Sequence, residues 1–425
     1  MPDARPPLKH LRWRVAILLC FAAELNYLDR QTLSVLATMI QADIGFTDTQ
    51  YGQITSAFLL SYTVMYAVSD RIIDIIGTRK GFLFFVSAWS VAAMVHGLAR
   101  SVFQFQLARF FLGTTEAAII PGGVKAASEW FPMKERALAV GIFNAGTALG
   151  STLAVPIVGA LGLYFGWRWA FVFTGAMAVL WLPFWYFLYQ KPEDHKRISP
   201  EERNLILADR TVSDEQKSPP LMALLKMKET WGCVAARALT DPITYFLMFW
   251  VPKYLQEVRG IMLGEFTAVG WMPFAALAVG NIASGGIPRY LVMRHGWTVN
   301  RARKVTTFIV SVTAFVLFIA ITRTENTVMA FACITGVMFC HGAWGNVILP
   351  AEVFPTRAVG TVTGFGGCLG GAVGFVTQLI IGRVVDTAGY VPLFLVCSVA
   401  YLVAFAAVVL LIGELGRVRH VEGHA

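Results

Sequence analysis

Five side chains in one apolar stretch carry the first candidate chemistry: Glu24, Asn26, Tyr27, Asp29 and Arg30 all lie within Arg14–Ala37. An ionisable group at membrane depth costs roughly 2.5–3.5 kcal/mol on insertion scales, so such groups face a bundle interior or a water-filled path. Asn26 and Arg30 are four residues apart and Tyr27 and Arg30 three, so a helix turns all three toward one cavity. Asp29 points about 100° away from Arg30. Two readings follow. Asp29 and Arg30 contribute to a structural ion pair between helices, or Arg30 holds an anion and Asp29 a proton.

The elements that must position these groups are transmembrane helices. The chain has 425 residues, 56% hydrophobic and only 14% charged, with a mean hydropathy of +0.61, far from an ordinary soluble domain. Apolar runs of about 20 residues, the length that spans a hydrocarbon core, recur along it. We read twelve: 14–37, 50–73, 81–99, 102–127, 136–162, 168–190, 232–256, 266–291, 304–322, 327–350, 358–383 and 390–413. The basic start (Arg5, Lys9, Arg12, Arg14) runs directly into the first of them with no cleavage site, so that helix is expected to be retained.

Lys and Arg concentrate in alternate connections: the N-terminus, 71–80, 134–136, 191–231, 289–304, and Arg417 with Arg419. The positive-inside rule then places both termini in the cytoplasm. The net charge of +9 is topological rather than a nucleic-acid footprint, since no basic stripe with interleaved aromatics is present. The six cysteines fall inside predicted helices and match neither a disulfide framework nor a metal-ligand pattern. We expect no metal and no cofactor.

One hydrophilic stretch, 191–231, divides the chain into an N-terminal six-helix bundle (1–190) and a C-terminal one with a short tail (232–425). Within it, Ser199-Pro200-Glu201-Glu202 predicts a short amphipathic helix with Ser199 as cap. An internal repeat supports the division. Glu129-Trp130-Phe131-Pro132 followed by Arg136 resembles Glu352-Val353-Phe354-Pro355 followed by Arg357. Each stretch joins the fourth helix of its half to the fifth, and its acid and base are expected to pair across the two halves at the cytoplasmic face. Two related halves with a site between them is a transporter arrangement.

The connection after the second helix, Asp70-Arg71-Ile72-Ile73-Asp74-Ile75-Ile76-Gly77-Thr78-Arg79-Lys80, resembles the major facilitator signature G-x-x-x-D-x-x-G-x-[RK]-[RK]. Asn26-Tyr27-Leu28-Asp29-Arg30, then Glu116, then Lys125-Ala126-Ala127-Ser128-Glu129-Trp130-Phe131-Pro132 resemble the anion:cation symporter family. Leu239-Thr240-Asp241-Pro242, Trp250-Val251-Pro252-Lys253-Tyr254-Leu255 and Trp271-Met272-Pro273-Phe274 bring the bacterial hexuronate transporters nearest. The resemblance covers nearly the whole chain. It implies the major facilitator fold: an all-α polytopic membrane protein of twelve transmembrane helices in two pseudo-symmetric six-helix halves, monomeric, in a bacterial inner membrane. It also implies that Asp29 and Glu116 couple protons and that Arg30 holds a substrate carboxylate. One position departs from the signature: Asp70 stands where a glycine is expected to pack against the other half. A charge there either biases the protein away from the outward-open state or pairs locally with Arg71 or Arg79.

Arg109 and Glu116, seven residues apart, share one face of the fourth helix about 10 Å apart along its axis. Glu116 sits among Thr114, Thr115, Ala117 and Ala118, a setting for proton exchange near neutral pH or for a permanent bridge to Arg109 or Arg30. A sugar acid wants a guanidinium fork for its carboxylate, and short polar groups and rings for its hydroxyls. Tyr27, Tyr62, Tyr66 and Asn144 offer the latter in the first half, and Trp344 and Asn346 in the second. Asp241 and Lys253 bracket the seventh helix, and His341 is read as a packing residue. The chain is therefore read as a proton-coupled symporter of an organic monoanion, most directly a hexuronate, with Asp70, Asp74, Gly77, Arg79, Arg109, Glu129, Arg136, Glu352 and Arg357 in structural or gating roles. The alternative is an organic-phosphate or other organic-anion antiporter of the same fold. A membrane enzyme or sensor is disfavoured, because no nucleophile-base arrangement and no output domain is visible.

Overall fold

The computed structural model describes residues 10–208 and 219–416. Arg5, Lys9, Arg417, Arg419 and the linker stretch 209–218 lie outside the described residues. In chain order the helices are α1 (Leu11–Val35), α2 (Ala37–Ile44), α3 (Asp48–Ile76), α4 (Thr78–Val95), α5 (Val102–Glu116), α6 (Ile119–Trp130), α7 (Met133–Phe165) and α8 (Trp167–Leu188). They continue with α9 (Pro200–Ala208), α10 (Leu221–Leu225), α11 (Lys228–Glu257), α12 (Leu263–Val269), α13 (Met272–His295), α14 (Val299–Arg323), α15 (Thr327–Trp344), α16 (Leu349–Val353), α17 (Thr356–Ala388) and α18 (Val391–Leu411).

Taking α5–α6, α12–α13 and α15–α16 as broken single passes gives the twelve spans read from the sequence. Among the described residues, eight passes are long and apolar enough to cross a membrane. The four that fall short are α1, α3, α5–α6 and α11, and the reason is physical. Three of them carry the buried polar groups Asn26, Asp29, Arg30, Arg109, Glu116 and Asp241, a turn at Ala117–Ala118 interrupts the fourth pass, and α3 buries Thr55, Ser56, Ser61 and Ser69. Groups that lipid would reject mark the helices that line the interior.

With no hydrophobic drive between helices in lipid, close packing depends on small residues. A Cβ at Gly150 of α7 would lie 2.9 Å from the Glu24 backbone of α1, so only glycine lets α7 cross α1 there. Gly77 ends α3 at φ 83°, a left-handed turn that a side chain disfavours, and starts α4 immediately. In α9, Ser199 accepts from the Glu202 amide at 3.2 Å as the sequence predicts. The Glu202 carboxylate in turn accepts from the amides of Leu11 and Arg12, each at 3.1 Å, capping α1 and tying the linker helix to the first six passes.

Among the described residues, the two sets of six passes are joined most firmly at the end away from the described termini and α9. Lys253 of α11, with no exposed surface, is ion-paired to Asp48 of α3 and, at 2.6 Å, to Glu257. Asp386 of α17 accepts from the backbone amides of Asp48 and Thr49 at 3.0 and 2.7 Å, capping α3 from the opposite half. Gln256 accepts from Thr38 at 2.7 Å. Deeper in, the Gln378 side-chain carbonyl accepts from Thr55 at 3.0 Å and from Trp250 at 2.7 Å. The α3–α17 contact continues to mid-bundle, where Gly371 lies on Thr63. Beyond that level the helices part: Asp70 is exposed, Ile75 is 74% exposed, and nothing lies against Gly360 or Gly364.

Candidate functional site

α1 enters the bundle with Asn26, Asp29 and Arg30 buried. The Arg30 guanidinium donates through Nε to Glu116 Oε2 at 3.0 Å and through Nη2 to Asn26 Oδ1 at 3.2 Å. It lies among three rings, 4.4 Å from the centroid of Tyr27, 4.7 Å from Tyr62 and 5.1 Å from Phe58. Desolvated cation–π contacts of this kind contribute about 2 kcal/mol each, so the rings hold the guanidinium in place while its fork stays partly free. Arg109 donates through Nη1 to the Arg30 carbonyl at 3.3 Å, fixing α5 against α1.

Glu116 closes α5, where the partial negative end of the helix and full burial act against a carboxylate while Arg30 and Arg109 act for it. Both Asp29 oxygens, Glu116 Oε1, Arg109 Nε and Nη2, and Asn26 Nδ2 make no hydrogen bond to protein. Most buried polar atoms in folded proteins are bonded. Two acids and two arginines thus form a balanced buried set with spare valences. A proton on either acid would leave one guanidinium uncompensated, an arrangement with the chemistry to hold an anion.

The opposite wall is built by α11. Arg237 forks onto Asp241 Oδ2 through Nε at 2.9 Å and Nη2 at 2.8 Å, and its Nη1 donates to the Thr363 carbonyl at 3.1 Å. Asn346 donates to Asp241 Oδ1 at 2.8 Å and to Thr240 at 2.7 Å. Sequence reasoning passed over Arg237; the signal was available, since Arg237 and Asp241 stand four apart on one helix face. Phe58 and Gln378 were also missed, and neither residue type announces a role.

Two expected substrate contacts fare differently. Trp344 is not in the cavity: it is 2% exposed, its indole N–H donating to Ser311 at 2.9 Å, because the face of α15 that carries it packs on α14. Asn346 spends its amide on Asp241 and Thr240 of α11. His341 bonds Thr244 at 2.7 Å and Tyr401 at 2.5 Å, the packing role read for it. Asn144 is exposed on α7, one turn from Gly141, which nothing contacts.

At the signature, Asp74 is ion-paired with Lys125 of α6. Arg79 donates to the Tyr186 carbonyl at 2.5 Å and lies 4.7 Å from that ring. Asp70 therefore has no local partner in Arg79, and among the described residues its carboxylate makes no ion pair. The partners of the repeat-motif acids seen here lie within their own halves. Glu352 is held by Arg303 of α14, with Nε at 3.0 Å, and Glu129 accepts from Thr78 at 2.7 Å and from Tyr189. Arg136 donates to the Ser128 carbonyl at 3.4 Å, and Arg357 is exposed.

Twelve helical passes around a buried, charge-balanced site, closed at one end and open at the other, define a multi-pass membrane carrier rather than an enzyme. The chain belongs to the Major Facilitator Superfamily, whose family model matches residues 19–376. It is 31% identical over 401 residues to the hexuronate transporter of Escherichia coli (strain K12), covering 92% of each chain. To the galacturonate transporter of Dickeya chrysanthemi it is 34% identical over 284 residues, 66% of this chain and 82% of that one. A bacterial homologue of the human lysosomal transporter Spinster, solved in an inward-facing and unoccupied conformation, superposes with a TM-score of 0.73 at 19% identity, covering 96% of both chains.

Proposed function

We propose that this protein imports a monocarboxylic sugar acid, a hexuronate such as glucuronate or galacturonate or a related aldonate, together with protons. The bundles 1–190 and 232–425 rock about the linker 191–231. The membrane is a bacterial inner membrane, with both termini and the open end in the cytoplasm, which makes the present state inward-open. The observation that carries this reading is the Arg30–Glu116 pair at 3.0 Å inside the aromatic cage; the sugar-acid transport named for the relatives at 31–34% identity supports the substrate class.

The chemistry is reciprocal. A proton on Glu116 breaks its ion pair and presents the Arg30 fork to a carboxylate, so the proton strengthens anion binding and the anion strengthens proton binding. Asp29, next to Arg30 and Arg109, supplies a second acid in the same field. Tyr27, Tyr62 and Tyr66 offer ring faces and hydroxyls to the sugar. Proton loss on the inner side restores the Arg30–Glu116 pair and expels the anion.

Thermal stabilisation of the purified protein tests this. Glucuronate, galacturonate and galactonate should raise Tm, more at pH 6 than at pH 8, and glucose should not. Stabilisation by a phosphate ester or an aromatic acid alone would overturn the substrate assignment.

A further inference from the structure

The second charged pair differs from the first in one respect: nothing in it is spare. Arg30 and Arg109 share a cluster with unbonded donors and acceptors, whereas Arg237 commits Nε and Nη2 to Asp241 and Nη1 to Thr363. Asn346 takes the remaining Asp241 oxygen. The pair is still not fully enclosed, its side chains 17% and 9% exposed. Tyr245 lies in electrostatic range of Asp241, Arg237 and Arg30 together, and Tyr66 of Arg237 and Asp241. Geometry links the two pairs through α17: Gly370 lies against Asp241, and the next residue, Gly371, lies against Thr63, the chain neighbour of Tyr62 in the Arg30 cage. The backbone of α17 is shaped around the pair: a Cβ at Gly367 would lie 2.9 Å from Arg237 Nη1, and one at Gly370 2.9 Å from the Asp241 carboxyl carbon.

We propose that the Arg237–Asp241 pair is the specificity element that restricts this carrier to substrates with a single carboxylate. This rests on the sugar-acid reading above. The pair is electrically neutral, so it adds no second anion site opposite Arg30. A second carboxylate reaching Arg237 would have to displace Asp241 and then lie beside it, like charge against like charge in a poorly screened cavity. Hydroxyl groups meet no such penalty, because they bring no charge and exchange hydrogen bonds with the tyrosine hydroxyls without displacing Asp241. The far end of the substrate is read as a polyol, and the charge count of the cavity is set by Asp241.

Removing that charge should convert the selectivity. Binding of galacturonate, with one carboxylate, and galactarate, with one at each end, is measured on the purified full-length chain. Wild type should bind galacturonate at least tenfold more tightly than galactarate. Asp241→Asn uncovers Arg237 and should improve galactarate binding at least tenfold, a gain that a merely structural role would not produce. Combining it with Arg237→Gln should abolish the gain. Equal affinities in wild type, or no gain in folded Asp241→Asn, would overturn the proposal while leaving the sugar-acid reading intact; wild type that binds neither compound overturns both. If Asp241→Asn does not fold, Arg237→Gln decides. It leaves an unpaired carboxylate on the cavity wall and should weaken galacturonate at least tenfold, and unchanged binding would overturn the proposal.

Discussion

Arg30 Nε lies 3.0 Å from Glu116 Oε2, joining α1 to the last residue of α5 in a pair with no exposed carboxylate surface. If this pair is the switch between the empty and loaded carrier, the shape of the cation matters as much as its charge. Lysine keeps the charge but loses the planar fork that a carboxylate matches in bidentate fashion. Arg30→Lys should therefore weaken galacturonate binding by roughly 1.5–3 kcal/mol, about ten- to a hundredfold, with the fold intact by circular dichroism. Titration calorimetry checks this, and an unchanged affinity would remove Arg30 from the site.

Neutralising Glu116 fixes the pair in its broken state. Glu116→Gln should bind galacturonate with an affinity that no longer changes between pH 6 and pH 8, while uphill uptake is lost because no proton moves with the anion. Counterflow, which needs no net proton movement, should survive. A Glu116→Gln variant that still concentrates substrate would assign the coupling elsewhere, and Asp29→Asn is the next variant to examine.

The latch at the sealed end sets the conformational balance. Lys253 is buried between Asp48 and Glu257, and removing one partner of a buried pair is far costlier than the pair is worth. Asp48→Asn should loosen α3 from α11 and raise outward opening. Cys368, half-buried beside Arg237, reports it. In a background where Cys20 is serine, an impermeant thiol reagent added outside should label Asp48→Asn several-fold faster than the parent.

Asp70 makes the complementary case. Its carboxylate is exposed where the halves have parted, and nothing lies against Gly360 and Gly364 of α17. Closing that end would desolvate a charge with no partner in place. Asp70→Gly should therefore favour the outward-open state and accelerate outside labelling of Cys368. Unchanged labelling and unchanged uptake would show that Asp70 carries no such bias.

Trp344 tests the boundary of the site. Its indole N–H is satisfied by Ser311 inside the α14–α15 contact, so Trp344→Phe should cost about 1 kcal/mol of stability and leave galacturonate affinity within about twofold. A larger loss of affinity would return it to the binding wall.

Where a residue type is intolerable in lipid, the sequence reported its place. Asp29, Arg30, Arg109 and Glu116 betray an interior path because nothing else makes a charge affordable there, and the twelve passes follow from apolar run length. Where a type is at home in either environment, the sequence was silent. Trp344 suits a sugar site and a helix contact equally, and only the direction of α15 separates them. Phe58 is an ordinary core ring until Arg30 is seen beside it. Arg237 was legible in principle from its four-residue spacing to Asp241 on one helix face. The partner of Glu352 is Arg303 of α14, 49 residues away in the chain, a pairing that the local sequence around Glu352 does not announce.

The central claim is that an anion and a proton share one buried cluster. Uptake of radiolabelled galacturonate into proteoliposomes with an imposed pH gradient, acid outside, tests it directly. Galacturonate should accumulate above equilibrium, and the accumulation should collapse when a protonophore dissipates the gradient and vanish in Glu116→Gln. Accumulation indifferent to the gradient, or requiring a counter-anion inside, would contradict it.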